Sequence, residues 1–516
     1  MKMLQGSLLH TTFALLGALR FSNAQVQPPA LEGAGAPISA RDRIYTGDQT
    51  SNTITVVNPA DNLVLGTISL GQSRLGNNLN PQNVDSVNSH GLGFSRDGRY
   101  IVSLSTLSNT VTVIATKDNS IVSQSYVDRG PHEAFFAADN RTLWIGTRGV
   151  SSINIIDAMN GSMIERIATG DGPSKVLFSP DGNTAYVNHI REPTLSVIDV
   201  PSRTVKYNIT GLADRFSSDM MISADGGILW AAHKMSGECS VIDLEQRKVI
   251  SVLETGPETN HPNFAVVDGT TYGYITVAAM NMTRVYSQAD PHTAPVHVKD
   301  IRMTGIQPHG MWPSADNTRM YVVNEHSDEV DVIDTRRMEI IDTFAVGQEG
   351  QALVYVSGAM EEGNDGMENL GKQGLGYRTE SVLLPVQAAN AHEEESEEEY
   401  DDGSYKPPYG HDDGSYKKDD NGWKRQEMMP APQALVTIRT TGGLDMFQVI
   451  GRNLVLNGTY TVSAMCKTCH EDRTPLLSFN ASMPNPRGCG TAPQVLGFFK
   501  FFDAYNMSTL EVREDA

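Results

Sequence analysis

The sequence predicts an all-β protein, a seven-bladed β-propeller closed by strands from both of its ends and followed by a small C-terminal β-sandwich-like domain. Two recurring patterns carry this prediction. A strand that ends in an aspartate turn appears as Val-Ile-Asp at residues 197–199, 241–243 and 332–334. A strand that ends in an Asp-Gly turn alternates with it, as at residues 178–182. Such repetition is typical of a fold assembled from one supersecondary unit.

The spacing of the repeat sets the number of blades. The residue that opens the innermost strand of each copy falls, in chain order, at His90, His132, Ser174, Ser218, His261, His309 and Gln351. The intervals are 42, 42, 44, 43, 48 and 42 residues, which suits a four-stranded blade. Only three strands precede His90, so we expect residues 352–357 to supply the missing innermost strand. A ring closed in this way has no free sheet edge.

The chain divides into five segments by composition. Residues 1–24 are typical of a signal peptide, because Lys2 precedes an apolar run that is too short to span a bilayer. The propeller covers residues 41–358, and a connector covers residues 359–390. Residues 391–424, with twelve acidic residues against four lysines, are predicted to be a disordered linker. Residues 433–516 form the C-terminal domain, to which a strand near residues 381–386 could also belong.

The predicted address is the secretory-pathway lumen or the exterior of the cell, because no apolar run long enough to span a membrane follows the signal peptide. A net charge of −21 without a basic patch argues against nucleic acid and anionic membranes as partners. The oligomeric state is left open. Glycosylation triplets agree with this address, and we expect those in loops to be used. They begin at Asn140, Asn160, Asn208, Asn281, Asn457, Asn480 and Asn506.

Three cysteines near the C-terminus, Cys466, Cys469 and Cys489, are candidates for one disulfide in an oxidising compartment. Residues 466–470, Cys-Lys-Thr-Cys-His, also match the attachment pattern of c-type haem. They follow a strand-like run, however, and do not open a helix. The sequence therefore predicts a structural disulfide of undetermined pairing and no cofactor.

The innermost strands of a propeller line its central channel, so residues at their starts should meet at one mouth. His90, His132, His261 and His309 hold four of these seven positions, in a chain with only 13 histidines. Two of the remaining positions are followed directly by charged residues, Lys175 and Asp219. The loops after the next strands should form a second ring, which contains Arg148, His189, His233, Asn324, Glu325 and His326.

These residue types favour proton transfer, because imidazoles donate and accept protons near neutral pH. The alternative for each histidine is a structural role in a hydrogen-bonded turn. No metal is expected, since blade geometry spreads the histidines around a wide ring and carboxylate ligands are sparse. Methionines and a tryptophan near the ring favour a small apolar substrate.

We therefore assign two sets of candidate residues. The predicted catalytic set is His90, His132, Lys175, His189, His233, His261, His309 and Glu325. The predicted substrate-binding set is Arg148, Asp219, Met220, Met235, Met280, Met311, Trp312, Asn324 and His326.

Tyr-Val-Asn at residues 186–188 and Tyr-Val-Val-Asn at residues 321–324 resemble the YVTN-type propeller repeat. This resemblance covers about residues 41–358. With its signal peptide, glycosylation triplets and β-rich tail, the chain also resembles a group of secreted fungal propeller proteins that includes the hetero-Diels–Alderases of tropolone-sesquiterpenoid biosynthesis. That resemblance implies dehydration of a hydroxylated tropolone-type precursor to an o-quinone methide. A humulene-type alkene then captures this intermediate, in fungal secondary metabolism.

Two other functions stay open. Pro-His-Gly at residues 308–310 and Asn-Glu-His at residues 324–326 are similar to parts of the seven-bladed lactonase pattern, which implies a hydrolase. The repeat equally permits a non-enzymatic binding protein or cell-surface scaffold. A propeller fold alone does not choose among the three, because propellers host many chemistries.

Overall fold

The computed structural model describes residues 35–74, 86, 88–388, 416–419, 422–425, 431–467, 473–485 and 488–515. The predicted signal peptide lies outside these residues, as does most of the predicted acidic linker. Within the described part of the chain, no helix has the length and apolar character to cross a membrane. The predicted all-β class is confirmed, since seven four-stranded sheets form a propeller and a further sheet follows.

The strands of the propeller begin with β1 (Arg43–Asp48), β2 (Thr53–Asn58) and β3 (Leu63–Ser69). Blade 1 contains β4 (Ser89–Phe94), β5 (Tyr100–Ser105), β6 (Thr110–Ala115) and β7 (Ile121–Tyr126). Blade 2 contains β8 (Pro131–Phe136), β9 (Thr142–Thr147), β10 (Ser152–Asp157) and β11 (Met163–Ala168). Blade 3 contains β12 (Pro173–Phe178), β13 (Thr184–His189), β14 (Thr194–Asp199) and β15 (Thr204–Thr210).

The remaining blades continue this pattern. Blade 4 contains β16 (Asp219–Ile222), β17 (Ile228–His233), β18 (Glu238–Asp243) and β19 (Lys248–Glu254). Blade 5 contains β20 (Thr259–Val267), β21 (Thr270–Val277), β22 (Met282–Gln288) and β23 (Val296–Arg302), with a 3₁₀ turn at Ala278–Met280. Blade 6 contains β24 (Pro308–Pro313), β25 (Arg319–Asn324), β26 (Glu329–Asp334) and β27 (Glu339–Ala345). The last propeller strand is β28 (Gly350–Val356).

Both ends of the propeller close blade 7, as predicted. β28 is the innermost strand and pairs antiparallel with β1, with Tyr355 opposite Ile44. β1 then pairs with β2, and β2 with β3. Every residue of β28 is buried, because neighbouring blades cover both of its faces. The ring therefore closes through hydrogen bonds between sequence-distant strands.

Aromatic side chains between the blades hold neighbouring sheets together. Trp144 of blade 2 meets Phe178 of blade 3 with ring centroids 5.4 Å apart. Trp230 of blade 4 meets Phe264 of blade 5 at 5.3 Å. Both pairs are edge-to-face, the arrangement that the aromatic quadrupole favours. The inner strands are buried on both sides, whereas outermost strands such as β11 are largely exposed.

The C-terminal region adds ten strands and two short helical turns. The strands are β29 (Thr379–Gln387), β30 (Tyr416–Asp419), β31 (Gly422–Arg425), β32 (Gln433–Thr440), β33 (Asp445–Leu454), β34 (Thr459–Met465), β35 (Arg473–Asn480), β36 (Met483–Pro484), β37 (Gly490–Phe499) and β38 (Glu511–Glu514). The helix α1 spans Phe501–Ala504, and a 3₁₀ turn spans Met507–Thr509. Eight of these strands form one sheet in the order β35-β34-β38-β29-β32-β33-β37-β36.

β29 shows that the acidic stretch is an insertion within this sheet. It pairs with β32, with Val382 opposite Val436, so the strand considered near residues 381–386 does belong here. β30 and β31 pair with each other as a hairpin inside the stretch that the sequence analysis predicted to be disordered. The stretch predicted to be a disordered linker therefore contains one short pair of strands.

The C-terminal sheet rests on the mouth of the propeller. Strand side chains alternate between faces, and Val436 and Ile438 of β32 pack in the C-terminal core. The intervening residues face the propeller, where Oγ1 of Thr437 lies 2.7 Å from Nδ1 of His326. Arg452 of β33 contacts Glu258 with two bonds of 2.7 and 2.6 Å. The covered surface thus includes loops of blades 5 and 6.

The predicted modifications keep their status as predictions. Cys239 and Cys489 are free thiols, so Cys489 forms no disulfide in this structure. Cys469 lies outside the described residues, and Cys466 with Cys469 is the remaining candidate pair. Among the glycosylation triplets, five begin with exposed asparagines and two, Asn140 and Asn281, with half-buried ones.

Candidate functional site

β-bulges aim side chains of the innermost strands at the channel. In blade 1, Ser89 pairs with Ser105 and Gly91 with Leu104, which leaves His90 as the extra residue. Blades 2, 3, 5, 6 and 7 break register in the same place, at residues 132–133, 174–175, 260–261, 309–310 and 351. In blade 4 the innermost strand starts at Asp219. Bulges redirect side chains and recur beside active sites.

The four predicted histidines meet at the mouth as two pairs. The rings of His90 and His132 have centroids 4.7 Å apart, and those of His261 and His309 are 4.6 Å apart. Burial, followed by the charge of Arg148, lowers the pKa of His90 and of His132 well below the usual value. Burial also lowers the pKa of His309. These three imidazoles are therefore neutral at neutral pH and suited to accept hydrogen bonds.

A buried charged cluster lies beside the histidines, on three consecutive blades. Nζ of Lys175 is 2.8 Å from Oε2 of Glu133 and 2.9 Å from Oδ1 of Asp219. Nδ1 of His261 lies 2.7 Å from Oδ2 of Asp219. Sequence reasoning missed Glu133, although it follows His132 as Lys175 follows Ser174. Glu133 could have been found because it occupies the same bulge position in blade 2 that Lys175 occupies in blade 3.

The two carboxyls of this cluster hold different protonation states. Burial, followed by the charge of Asp219, raises the pKa of Glu133 to about 8. Burial alone would raise the pKa of Asp219 as well, but its contacts with His261 and with the Lys175 ammonium hold that pKa below its usual value. Glu133 therefore carries a proton at neutral pH while Asp219 is anionic. Environments that separate the pKa values of two neighbouring carboxyl groups are characteristic of an acid–base pair.

The contact with Asp219 fixes the role of His261. A carboxylate at Nδ1 favours the tautomer that is protonated there, which leaves Nε2 as the proton acceptor. Within the described residues no hydrogen bond engages Nε2 of His261, and the ring lines the channel cavity. The Asp219–His261 contact thus has the geometry that an oriented general base requires.

The same residues offer ligands for a metal ion. One atom each of Glu133, Asp219 and His261 lie within 4.8 Å of one another. The Lys175 ammonium, however, already bonds to both carboxyl groups and balances the negative charge of Asp219. The residues present therefore fit an ammonium-centred cluster better than a metal centre, and no step below uses a metal.

A narrow cavity continues from this cluster into the channel. Its polar side is formed by Glu133, Lys175 and His261, and its apolar side includes Phe135 and Trp312. The cavity has room for about one water molecule. A large substrate would have to present its reacting group from the mouth and leave its bulk outside the cavity.

Glu325 forms a second acid–base centre under the C-terminal sheet. Nε2 of Gln351 donates to its Oε1 at 2.7 Å, while Nε2 of His309 is 4.0 Å from its Oε2. Burial, followed by the charge of Glu349, raises the pKa of Glu325 to about 7. Because His309 also contacts His261, the two centres adjoin through the pair of histidines.

Three predicted site residues face their own blades and leave the channel. Nδ1 of His189 lies 2.9 Å from the carbonyl oxygen of Thr194. Nε2 of His233 lies 2.8 Å from Oγ of Ser240. Nδ2 of Asn324 donates to Asp331 at 2.9 Å. These residues tie the second strand of a blade to the third, so we place them outside the acid–base site.

The predicted apolar wall is only partly present. Met311 and Trp312 line the cavity, as does Met221. Met220 is fully buried in the propeller core, because the strand alternation turns it away from the axis. Met235 is half-buried, and Met280 is exposed on the 3₁₀ turn of blade 5. Sequence spacing alone could not separate the two faces of these strands.

Comparison with known proteins supports the fold. No protein family and no curated protein matches the chain. A functionally unknown protein from Desulfotomaculum acetoxidans DSM 771 is 12% identical with a TM-score of 0.50, over 61% of this chain and 98% of that one. The periplasmic gluconolactonase of Pseudomonas aeruginosa is 16% identical with a TM-score of 0.49, over 61% and 99%. Hydrazine synthase of Kuenenia stuttgartiensis is 17% identical with a TM-score of 0.45, over 51% and 88%. At 12% identity the likeness to the Desulfotomaculum acetoxidans protein concerns the fold alone, and the function of the chain has to be argued from the site.

Proposed function

We propose that the chain is an enzyme that performs general acid–base chemistry at the mouth of its propeller channel. One observation carries the proposal: the Asp219–His261 pair, with Nε2 of the imidazole unengaged, lies beside the proton-holding carboxyl of Glu133. A positioned acid and a positioned base each typically contribute about 10²–10⁴-fold to a rate.

The residues divide the work as follows. Glu133 donates its proton to the departing oxygen of the substrate, and His261 accepts a proton at Nε2. Asp219 stabilises the imidazolium that results, while Lys175 keeps Asp219 anionic. Lys175 belongs to the predicted catalytic set, but its ammonium is occupied by Glu133 and Asp219 and is not free to act as the acid. Glu133 takes that role instead.

At a finer level, the proposed reaction is the dehydrative hetero-Diels–Alder addition that the family resemblance implies. Glu133 protonates the substrate hydroxyl, whose C–O bond breaks to release water, and His261 removes the proton of the tropolone hydroxyl. The o-quinone methide then adds to the humulene-type alkene, and the proton returns from His261 to Glu133. A cavity of about one water beside Glu133 suits the molecule that is lost. The proposed address is outside the cell or in the secretory lumen.

A lactone hydrolase is the second candidate, because the same water-sized cavity is lined by His261. A water molecule held there would lie beside a base that can activate it for attack on an ester carbonyl. This candidate uses the same Asp219–His261 pair and differs in the substrate.

The test is to incubate the purified chain with a hydroxylated tropolone-type precursor plus humulene and, separately, with a panel of lactones. We expect faster and more stereoselective cycloaddition than in buffer. Glu133→Gln and His261→Asn should lower the rate about 10²–10⁴-fold. The matched controls, Glu165→Gln and His297→Asn, change exposed residues on the outermost strands of the same two blades. They should leave the rate unchanged.

The outcomes separate the three functions. Ring-opening of lactones without cycloaddition would replace the first candidate by the second. Folded protein that accelerates neither reaction, and whose biological activity survives Glu133→Gln and His261→Asn, would establish the non-enzymatic scaffold.

A further inference from the structure

Among the described residues, no carboxylate pairs with Arg148, a cation at the mouth. It follows β9 in blade 2 and reaches around the axis, where Nε donates to Oγ of Ser174 at 2.9 Å and Nη2 donates to the carbonyl oxygen of Ser218 at 2.8 Å. The ring of Phe216 lies 5.9 Å from the guanidinium carbon. Burial, only partly offset by Glu133 and Asp219, lowers its pKa to about 10. All of its direct partners are neutral.

Lys234 is a second such cation, which the sequence analysis did not single out. It directly follows His233 in the loop after β17 and is half-buried. Among the described residues, no hydrogen bond or ion pair engages its ammonium. Lys234 directly follows β17 as Arg148 directly follows β9, so the two side chains start from equivalent places at the mouth. The charge of Lys234 acts on groups of blades 1, 5 and 6, namely His90, Glu258, His309, Glu325 and His326. His90 feels the charges of both Lys234 and Arg148.

Four buried cations around the mouth, in contrast, have carboxylate partners among the described residues. Arg74 pairs with Glu349 at 3.1 Å, and Lys175 pairs with Asp219 at 2.9 Å. Arg452 pairs with Glu258, and Arg439 lies 3.5 Å from Asp328. Arg148 and Lys234 differ from these four cations, because the described residues supply neither of them with a carboxylate partner.

The carboxyl groups of Glu133 and Glu325 could balance the positive charges of Arg148 and Lys234, but they do so only in part. The pKa of Glu133 is about 8 and that of Glu325 about 7, so each carries much of a proton near neutral pH. The described residues of the mouth therefore carry an excess of positive charge, in a chain whose net charge is −21. Half-buried cations without a counter-ion are partly desolvated at a cost in free energy, which an incoming anion would offset.

We propose that Arg148 and Lys234 bind an anionic oxygen group of the substrate, a carboxylate or an ionised acidic hydroxyl, at the mouth of the channel. The planar fork of a guanidinium suits two oxygens on one carbon or on adjacent carbons. The substrate class is thus a small molecule with an apolar body and an anionic head. The proposal rests on the proposed function for its site, but its test measures binding alone.

Benzoate is the probe, and benzamide is its neutral counterpart of the same shape. In titration calorimetry on the full chain we expect benzoate to bind more tightly than benzamide, with an affinity that falls as NaCl is added. Arg148→Met and Lys234→Met should each weaken benzoate binding about tenfold or more. The matched controls are Arg166→Met and Lys248→Met, at exposed positions of the same blades. They should bind as the parent chain does.

Equal binding of benzoate and benzamide would overturn the proposal, as would unchanged binding in both mouth variants or a signal that chloride reproduces at equal ionic strength. If Arg148→Met does not fold, Lys234→Met and Arg148→Lys decide the matter. Glu133→Gln distinguishes the two proposals, because it should lower the turnover rate about 10²–10⁴-fold and keep benzoate binding. A chain that binds benzoate but catalyses neither reaction would retain the anion site and lose the proposed function.

Discussion

Nη2 of Arg439 donates to the carbonyl oxygen of Glu325 at 2.7 Å, so a fully buried side chain of the C-terminal sheet holds the loop that carries a candidate acid–base residue. The same guanidinium donates through Nη1 to Gln448 at 2.8 Å and lies 3.5 Å from Asp328. The geometry of the mouth therefore depends on both parts of the chain. Neither the propeller nor the sheet forms this part of the site alone.

Arg439→Met tests this dependence. The change leaves the buried carboxylate of Asp328 without its cation and the Glu325 carbonyl without a donor. We expect the free energy of unfolding to fall by about 3–5 kcal/mol, as when one partner of a buried ion pair is removed. Urea denaturation measures the loss. Arg513→Met, which breaks an exposed pair with Glu511, should cost at most about 1 kcal/mol. A similar small loss in both variants would contradict the result.

Lys175→Met tests the charge balance of the channel. Without the ammonium, Asp219 and Glu133 become two buried carboxyls with one imidazole between them, and we expect a loss of about 3–5 kcal/mol at neutral pH. Protonation relieves a buried carboxylate, so the difference from the parent chain should shrink as the pH falls from about 8 towards about 4. Lys206→Met, at an exposed pair with Asp199, should show neither effect. A pH-independent loss would refute the assignment.

Gly91→Ala tests the close approach of the innermost strands. A Cβ at this position would overlap the carbonyl oxygen of His132 in the next blade, and backbone cannot yield as a side chain can. We expect a loss of about 3 kcal/mol or more from overpacking, measured as a lower midpoint of unfolding. The control is Gly443→Ala, where an added Cβ meets nothing within 4 Å. Equal midpoints for the two variants would show that the blades are farther apart than described.

Acid sensitivity should follow from the buried histidines. The pKa of His309 lies below its unfolded value because of burial, so the unfolded chain binds the extra proton and stability falls as the pH drops below about 6.5. His309→Gln should flatten the fall of melting temperature between about pH 6.5 and pH 4. His292 is the opposite case, since its bond to Asp243 raises its pKa and its contribution is lost as the pH rises. His292→Gln should therefore leave the acid limb as steep as before or steepen it.

The fold was readable from sequence because blades repeat. Seven aligned positions at nearly equal intervals, from His90 to Gln351, predict seven blades. Only three strands precede His90, which predicts the closing strand that pairs with β1. The hairpin of β30 and β31 escaped this reasoning, because charge and composition dominate the stretch around it. Pairing of two short strands depends on a few residues, and the average composition of the whole stretch does not show them.

The site was only partly readable. His261 and Asp219 were expected at the mouth, but their contact and the proton on Glu133 depend on bulges, which shift side chains by one residue without changing the repeat. His189 and His233 occupy equivalent places, and equivalence alone suggested a shared function. Both histidines form hydrogen bonds within their own blades. The sequence does not show on which side of a strand a ring lies, so it could not separate these residues from those that line the channel. The position of Arg439 needed the docking of a separate sheet, which no repeat encodes.

The closing strand also imposes an order on biosynthesis. On the ribosome, β1 to β3 emerge first and wait with an unpaired edge until six further blades and β28 have been made. The C-terminal sheet comes later still, and Gln448 and Gln494 then contact Glu349, one residue before the strand that seals the circle. The C-terminal sheet is thus bonded to the residue that precedes the closing strand β28. The ring can reopen only after these contacts break, which slows unfolding and gives the folded protein kinetic stability.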